Sequence, residues 1–261
     1  MVKDVFRAFD RIGNVVIVKF PKGTKVRDKK QFANKLLKDN KSVETVLEKT
    51  GKFKGRLRKQ TTKYIVGEKT KEALYRENGC VFRFNVDSTY FSPRLSNERK
   101  ELSGKVKKGN VVLVMFAGVS PFSIVIAKNS KAEKVVSVEI NREANKYAKL
   151  NIELNKLEGK IELIQGDVKR VSKKIRKKFD IIIMPRPQLK DSFLKEAFSL
   201  SKKGTRIFYY DFCKVDETEN VIERIKTEAK KYKKRIKILK IKKAGEIAPY
   251  KIRVRIDFKV L

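Results

Sequence analysis

Three carboxylates in this sequence stand where they can do chemistry. Glu139 ends the apolar run KVVSVE, and Asp167 follows the run KIELIQG. A carboxylate at the first position can accept both hydroxyl protons of a ribose, and one at the second can accept from an adenine amino group. Each also fits a plainer role, Glu139 as a solvated strand end and Asp167 as a turn or helix-cap residue. The third is Glu98, four residues after Arg94 in SPRLSNERK. Proline starts a helix well, so a helix begun at Pro93 puts Arg94 and Glu98 on one face. That pair reads either as an ordinary surface ion pair, worth a few tenths of a kcal/mol, or as a functional pair. There is no histidine in the chain. Ser-His-Asp triads, Cys-His pairs and His-based zinc sites are therefore excluded, and any proton must move through other groups.

The elements that must position these groups form a βαβαβ unit over residues 110–167. It opens with VVLVMF, turns at Ala117-Gly118, and continues through two further strand-like runs ending at Glu139 and near Gly166-Asp167. Continuous apolar runs separated by helical-period segments are the pattern of parallel strands buried on both faces. Ligands of such units sit beyond the C-terminal strand ends. The first turn carries one glycine rather than Gly-x-Gly-x-x-Gly, which argues against a pyrophosphate cradled on a helix N-terminus. A nucleoside ligand without phosphates remains, and two carboxylates after strands two and three of one unit point to S-adenosylmethionine.

Beyond Asp167 the sequence continues with a basic helix (VKRVSKKIRKK), the strand FDIIIMPRP, a helix in LKDSFLKEAFSLSKKG and the strand TRIFYYDF. A charged helix, VDETENVIERIKTEAKKY, then leads to KRIKILKIKK and YKIRVRIDFKVL, an antiparallel pair at one sheet edge. Seven strands with five or six helices match an α/β, class I (Rossmann-like) methyltransferase sheet over residues 93–261. Residues 1–92 read as a smaller α+β domain whose basic loop around Arg56 and Arg58 faces a polyanion. It has strands near Phe9–Phe20, in VETVLEK, at Tyr64-Ile65-Val66 and in CVFRFNVD, and helices over Lys29–Lys38 and Lys69–Asn78, the second stopped by Gly79.

With 66 Lys+Arg against 30 Asp+Glu in 261 residues, the formal charge is +36. Self-repulsion of that size opposes compaction unless a polyanion relieves it, and nucleic acid is the expected partner. Membrane attachment is not expected, because no long apolar span or N-terminal signal appears. The chain is expected to be cytoplasmic. Cys80 and Cys213 are far apart and lack metal spacing, so no metal is expected either.

At YFSPRLSNERK, MFAGVSPFS and FDIIIMPRP the sequence resembles the archaeal and eukaryotic type of tRNA guanosine-37 N1-methyltransferase, from about Phe9 to the C-terminus. The resemblance implies methyl transfer from S-adenosylmethionine to the base next to the anticodon. It makes Glu98 the general base and places Arg58 on guanine O6. Tyr90, Pro93, Arg94, Pro185 and Pro187 line the target-base pocket, and Phe116, Ala117, Gly118, Glu139 and Asp167 hold the cofactor. Larger family members carry an N-terminal domain that reads the tRNA elbow, and this chain begins too late to have it, so recognition is expected to rest on the anticodon arm by a monomer. Three residues depart from the family pattern: Val114 for an aspartate, Ser120 for a glycine and Pro185 for an asparagine.

Neither cysteine follows a proline, which excludes cytosine C5 transfer, and MPRPQ lacks the amide and aromatic that exocyclic adenine transfer needs. Two alternatives stay open. One is a wyosine-pathway enzyme, transferring a methyl or aminocarboxypropyl group to the tricyclic derivative of the same guanosine, alone or as a second activity. The other is a non-catalytic RNA-binding protein on a methyltransferase frame.

Overall fold

Long apolar runs and turn residues lay out the chain as two compact units, Met1–Pro93 and Arg94–Leu261. The computed structural model describes residues 9–51, 53, 55–185 and 191–261.

In the first unit, β1 (Phe9–Ile12) and β2 (Val15–Val18) are antiparallel. Helix α1 (Val26–Asp39) then crosses to β3 (Thr45–Lys49), parallel to β2, and β4 (Thr62–Gly67) closes the sheet antiparallel to β3. Ala33 and Leu36 bury one face of α1 against Val16, Val18 and Val46. The helix expected over Lys69–Asn78 is instead a strand. β5 (Glu72–Glu77) and β6 (Cys80–Asn85) pair as a hairpin around Asn78-Gly79. Both turn residues are left-handed, at φ 49° and 72°, the conformation that a tight Asn-Gly turn requires and that suits the twist of the strands. Ala73, Phe82 and Phe84 supply the alternating buried positions, and Phe84 stacks on Phe91 with ring centres 4.6 Å apart.

The second unit opens with a 3-10 turn (Pro93–Leu95) and α2 (Ser96–Ser103). It continues with β7 (Val111–Met115), α3 (Pro121–Asn129), β8 (Lys134–Glu139), α4 (Arg142–Leu154) and β9 (Ile161–Gln165). Then come α5 (Val168–Val171), β10 (Phe179–Met184), α6 (Leu194–Ser199), β11 (Ser201–Lys214), α7 (Thr218–Lys231), β12 (Ile236–Ala248) and β13 (Lys251–Val260). The sheet runs β12-β13-β11-β10-β7-β8-β9. This is the doubly wound order with β13 inserted antiparallel between β11 and β12, and its switch point, where ligands bind, lies between β10 and β7.

One face of the sheet is apolar: Leu113, Met115, Val136, Ile182 and Ile207 pack with Phe198 of α6 and Ile225 of α7. The alternate residues of the same strands face α2 and α3, where the ring of Tyr210 meets Phe122 edge-on at 6.2 Å. The basic helix after Asp167 is only four residues long, because Lys173, Lys174, Arg176, Lys177 and Lys178 crowd like charges over its continuation.

Candidate active site

At the C-terminal ends of β7 and β8 the chain is tied together by hydrogen bonds around Glu139. Its Oε2 accepts from the Gly118 N–H and its Oε1 from the Asn141 N–H, both at 2.8 Å. Ala117 donates its N–H to the Val138 carbonyl and Gly166 donates to that of Glu139, so Ala117, Gly118, Glu139 and the turn before Asp167 lie together. Asn145 adds a bond from Nδ2 to the Glu139 carbonyl at 2.9 Å. Glu139 is therefore a buried latch between the first turn and the second strand, not a solvated strand end. Each of its oxygens has a second lone pair, and that pair is what a ribose hydroxyl needs. Asp167 caps α5, accepting the Lys169 N–H at Oδ1 over 2.9 Å. The plainer reading of that residue is thus fulfilled. Phe116 meets Phe193 edge-on at 4.9 Å.

The turn itself is strained. Phe116, Gly118 and Ser120 are all left-handed, at φ 58°, 59° and 64°. Glycine tolerates this, but an L side chain there costs about 1–2 kcal/mol. Ser120, the departure from glycine, is also fully buried, and its hydroxyl makes no hydrogen bond among the described residues. Ser120→Gly should therefore raise stability by about 0.5–1 kcal/mol, the relief of strain and of the buried hydroxyl exceeding the extra freedom of glycine in the unfolded chain. Thermal unfolding of the two proteins checks this, and a lower midpoint for the glycine variant would contradict it. The other departure in this region, Val114, is fully buried in β7 between Ser137 and Ile183, so the strand packs a methyl-bearing residue where a carboxylate would need partners.

Glu98 lies elsewhere in the same unit. Arg94 is still in the 3-10 turn and α2 starts only at Ser96, so the helical spacing expected from Arg94 to Glu98 does not hold at its first residue. The partners of Glu98 come from the sheet. Tyr210, Arg255 and Lys242 sit opposite one another across β11, β13 and β12 and present one row of donors. Glu98 Oε2 accepts from the Tyr210 hydroxyl at 2.8 Å and from Arg255 Nη1 at 2.5 Å, and Oε1 accepts from Lys242 Nζ at 2.6 Å. Glu101, one turn along α2, accepts from Arg255 Nη2 at 2.6 Å and also from Lys242. Asp257 takes Arg255 Nε at 2.6 Å, and Lys105 Nζ lies 3.8 Å from its carboxylate.

Three acids and three bases thus neutralise one another in a largely buried cluster, as burial of charge requires. Partial burial alone pushes the Glu101 carboxyl up, but hydrogen bonds from Arg255 and Lys242, with their charges, outweigh it and bring the group down to about 2. Burial first, and then the Glu98 charge, holds the Tyr210 phenol well above its ordinary range, so it stays a donor. Lys242, Arg255, Tyr210, Glu101 and Asp257 escape a search for motifs. A signal exists for Arg255 and Asp257, in the period-2 run Arg253-Val254-Arg255-Ile256-Asp257, where charges alternate with core residues in a strand that is buried on both faces.

In the first unit, the Arg58 guanidinium lies 3.6 Å above the Tyr90 ring, and Phe53 meets Tyr90 edge-on at 5.1 Å. Arg58 is left-handed at φ 51°. Stacking uses the face of the guanidinium and leaves its in-plane N–H groups as hydrogen-bond donors. Pro93 ends this unit, and Pro185 follows β10 half-buried. Pro187 lies outside the described residues. No group of His, Cys, Asp or Glu suited to a metal ion occurs among the described residues, and no described helix is long and apolar enough to cross a membrane.

A model of the TRM5/TYW2 methyltransferase domain matches residues 73–239, and one of the TYW2 N-terminal domain matches residues 1–70. The chain is 36% identical to the tRNA (guanine(37)-N(1))-methyltransferase Trm5b of Pyrococcus abyssi, over 97% of this chain and 74% of that protein. The crystal structure of that Trm5b superposes with a TM-score of 0.86, covering 97% of this chain and 75% of the other. Identity is 33% to the tRNA (guanine(37)-N(1))/4-demethylwyosine(37)-methyltransferase Taw22 of Nanoarchaeum equitans, over 96% of this chain and 98% of that one. The structure of M. jannaschii TYW2 in complex with AdoMet matches at a TM-score of 0.72 and 26% identity, over 97% of this chain and all of that one.

Proposed function

The chain belongs to the TRM5/TYW2 methyltransferase family, and from that premise we propose that it methylates N1 of guanosine 37 in tRNA with S-adenosylmethionine as donor. The observation that carries this reading is Glu98, a carboxylate kept among two cations and a phenol one residue beyond the level where β10 ends, since Met184 pairs with Tyr209. Guanine N1 bears a proton and is a poor nucleophile until the proton leaves, and a positioned carboxylate can take it.

The residues at the strand ends suit the donor. Glu139 offers one lone pair per oxygen to ribose hydroxyls, Asp167 faces the same end of the sheet, and Phe116, Ala117 and Gly118 form the turn beyond β7, beside Glu139. S-adenosylmethionine, when bound, supplies an electrophilic sulfonium methyl with a good leaving group. Glu98 accepts the N1 proton and later releases it to water, while the electron pair left on nitrogen forms the new N–C bond. Arg58, stacked on Tyr90, is assigned to guanine O6, where negative charge develops as N1 ionises. Tyr90, Pro93, Arg94, Pro185 and Pro187 are assigned to the base pocket. The charge of +36 suits a phosphate-rich substrate, and recognition is assigned to the anticodon arm, by a monomer.

The test is mass spectrometry of an anticodon-loop digest after incubation of unmodified tRNA with the protein and S-adenosylmethionine. A methyl on N1 of guanosine 37 is expected, and an unmodified guanosine 37 with the donor bound would sink the reading. A second activity on the 4-demethylwyosine form of the nucleoside is favoured by the match to Taw22 along 98% of its length and by the TYW2-type model over residues 1–70. The same digest of tRNA carrying that nucleoside distinguishes methyl from aminocarboxypropyl addition by mass.

A further inference from the structure

The hydrogen bonds of Glu98 are unequal in what they leave available. Oε2 accepts two, from Tyr210 and Arg255, which uses both of its lone pairs. Oε1 accepts one, from Lys242. Among the described contacts, Oε1 is thus the oxygen with room for an incoming proton, and its present partner is the one cation of the row that reaches solvent. The Lys242 side chain is 30% exposed and that of Arg255 is 0% exposed. Lys242 also holds Glu101, so its ammonium bridges two carboxylates one turn apart on α2 and is fixed from both sides.

We propose that Lys242 is a positioning residue for the methyl transfer: it fixes the Glu98 carboxylate so that Oε1 meets the proton to be removed. This rests on Glu98 being the base. The groups facing Glu98 are Tyr210 from β11, Arg255 and Asp257 from β13, Lys242 from β12, and Glu101 and Lys105 from α2 and the turn after it. Of the cations, Arg255 is buried and shared among three acids, while Lys105 reaches Glu101 and Asp257. Lys242 is accordingly the cation whose loss alters Glu98 without opening the core. Its removal frees the Glu98 side chain to turn Oε1 away from the proton, so the rate of methyl transfer falls while both substrates still bind.

The experiment is single-turnover methylation of tRNA by the wild type, Lys242→Met, Lys242→Arg and Glu98→Gln, with affinities for S-adenosylmethionine and tRNA and thermal midpoints for each. Lys242→Met should lower the single-turnover rate by about 10-fold or more, the cost of a misplaced reacting group, with the affinities for S-adenosylmethionine and tRNA within a few-fold of wild type. Lys242→Arg, which keeps a cation to hold both carboxylates, should restore most of the rate. A wild-type rate in Lys242→Met, with Glu98→Gln inactive, overturns the role of Lys242 and leaves Glu98 as base; a rate in Lys242→Arg as low as in Lys242→Met, with both midpoints lowered, does the same, marking a structural pair. Turnover by Glu98→Gln overturns the assignment of the base, and this inference with it.

Discussion

Glu98→Gln lowers the single-turnover rate of N1 methylation by about 100-fold or more, with the affinities for S-adenosylmethionine and tRNA nearly unchanged. The amide keeps the shape of the side chain but cannot take a proton at neutral pH, and the chain has no histidine to replace it. The rival is structural. Glu98 is one of three acids in a charge-balanced cluster, so its neutralisation leaves the cluster with an excess positive charge and lowers the thermal midpoint whatever its chemical role. Glu101→Gln separates the two. It removes the same charge from the same cluster, since Glu101 shares Arg255 and Lys242 with Glu98, but does not touch the assigned base. Assayed well below both midpoints, Glu101→Gln should stay within a few-fold of wild type while Glu98→Gln does not. Equal rates for the two variants would remove Glu98 from the chemistry.

Arg255→Met destabilises the protein by about 3–5 kcal/mol. The Arg255 side chain is 0% exposed and hydrogen-bonds to Glu98, Glu101 and Asp257. Methionine fills much of the volume but leaves three carboxylates to Lys242 and Lys105. The effect depends on pH. Glu101 sits at about 2 in the folded protein against its ordinary 4.5. A depressed carboxylate adds stability that is fully present above its unfolded value and is lost as pH falls towards its folded one. In Arg255→Met much of that depression disappears, so the gap between variant and wild type is widest above pH 4.5 and narrows towards pH 2. Denaturant unfolding at several pH values measures this. A loss of less than about 1 kcal/mol at neutral pH would mean that the cluster behaves like exposed ion pairs.

The sequence by itself determined the sheet of the second unit. Its strands are continuous apolar runs or clear alternations, and such patterns depend on neighbours in the chain: VVLVMF, KVVSVE and FDIIIM have no other way to leave water than between two layers. It also placed Glu139 and Asp167 at strand ends, because a strand stops where the run stops. Local pattern failed at β5, where EALYRE has residues at ease in a helix; the Asn-Gly turn and the pairing with CVFRFN decided for a hairpin, and pairing is not a local property. Ser120 carried no hint of the left-handed backbone it must adopt, since that follows from how the β7 turn meets α3.

Only the tertiary structure decided what Glu98 is bonded to. Its donors come from residues 210, 242 and 255, more than a hundred positions away, and they share one face because β13 runs antiparallel between β11 and β12. A charge spacing within SPRLSNERK reports only neighbours on one helix, whereas the register of three strands sets which cations a buried carboxylate meets. In a chain with 66 Lys and Arg, composition cannot single out the two that matter; the desolvation of one narrow face of the sheet does.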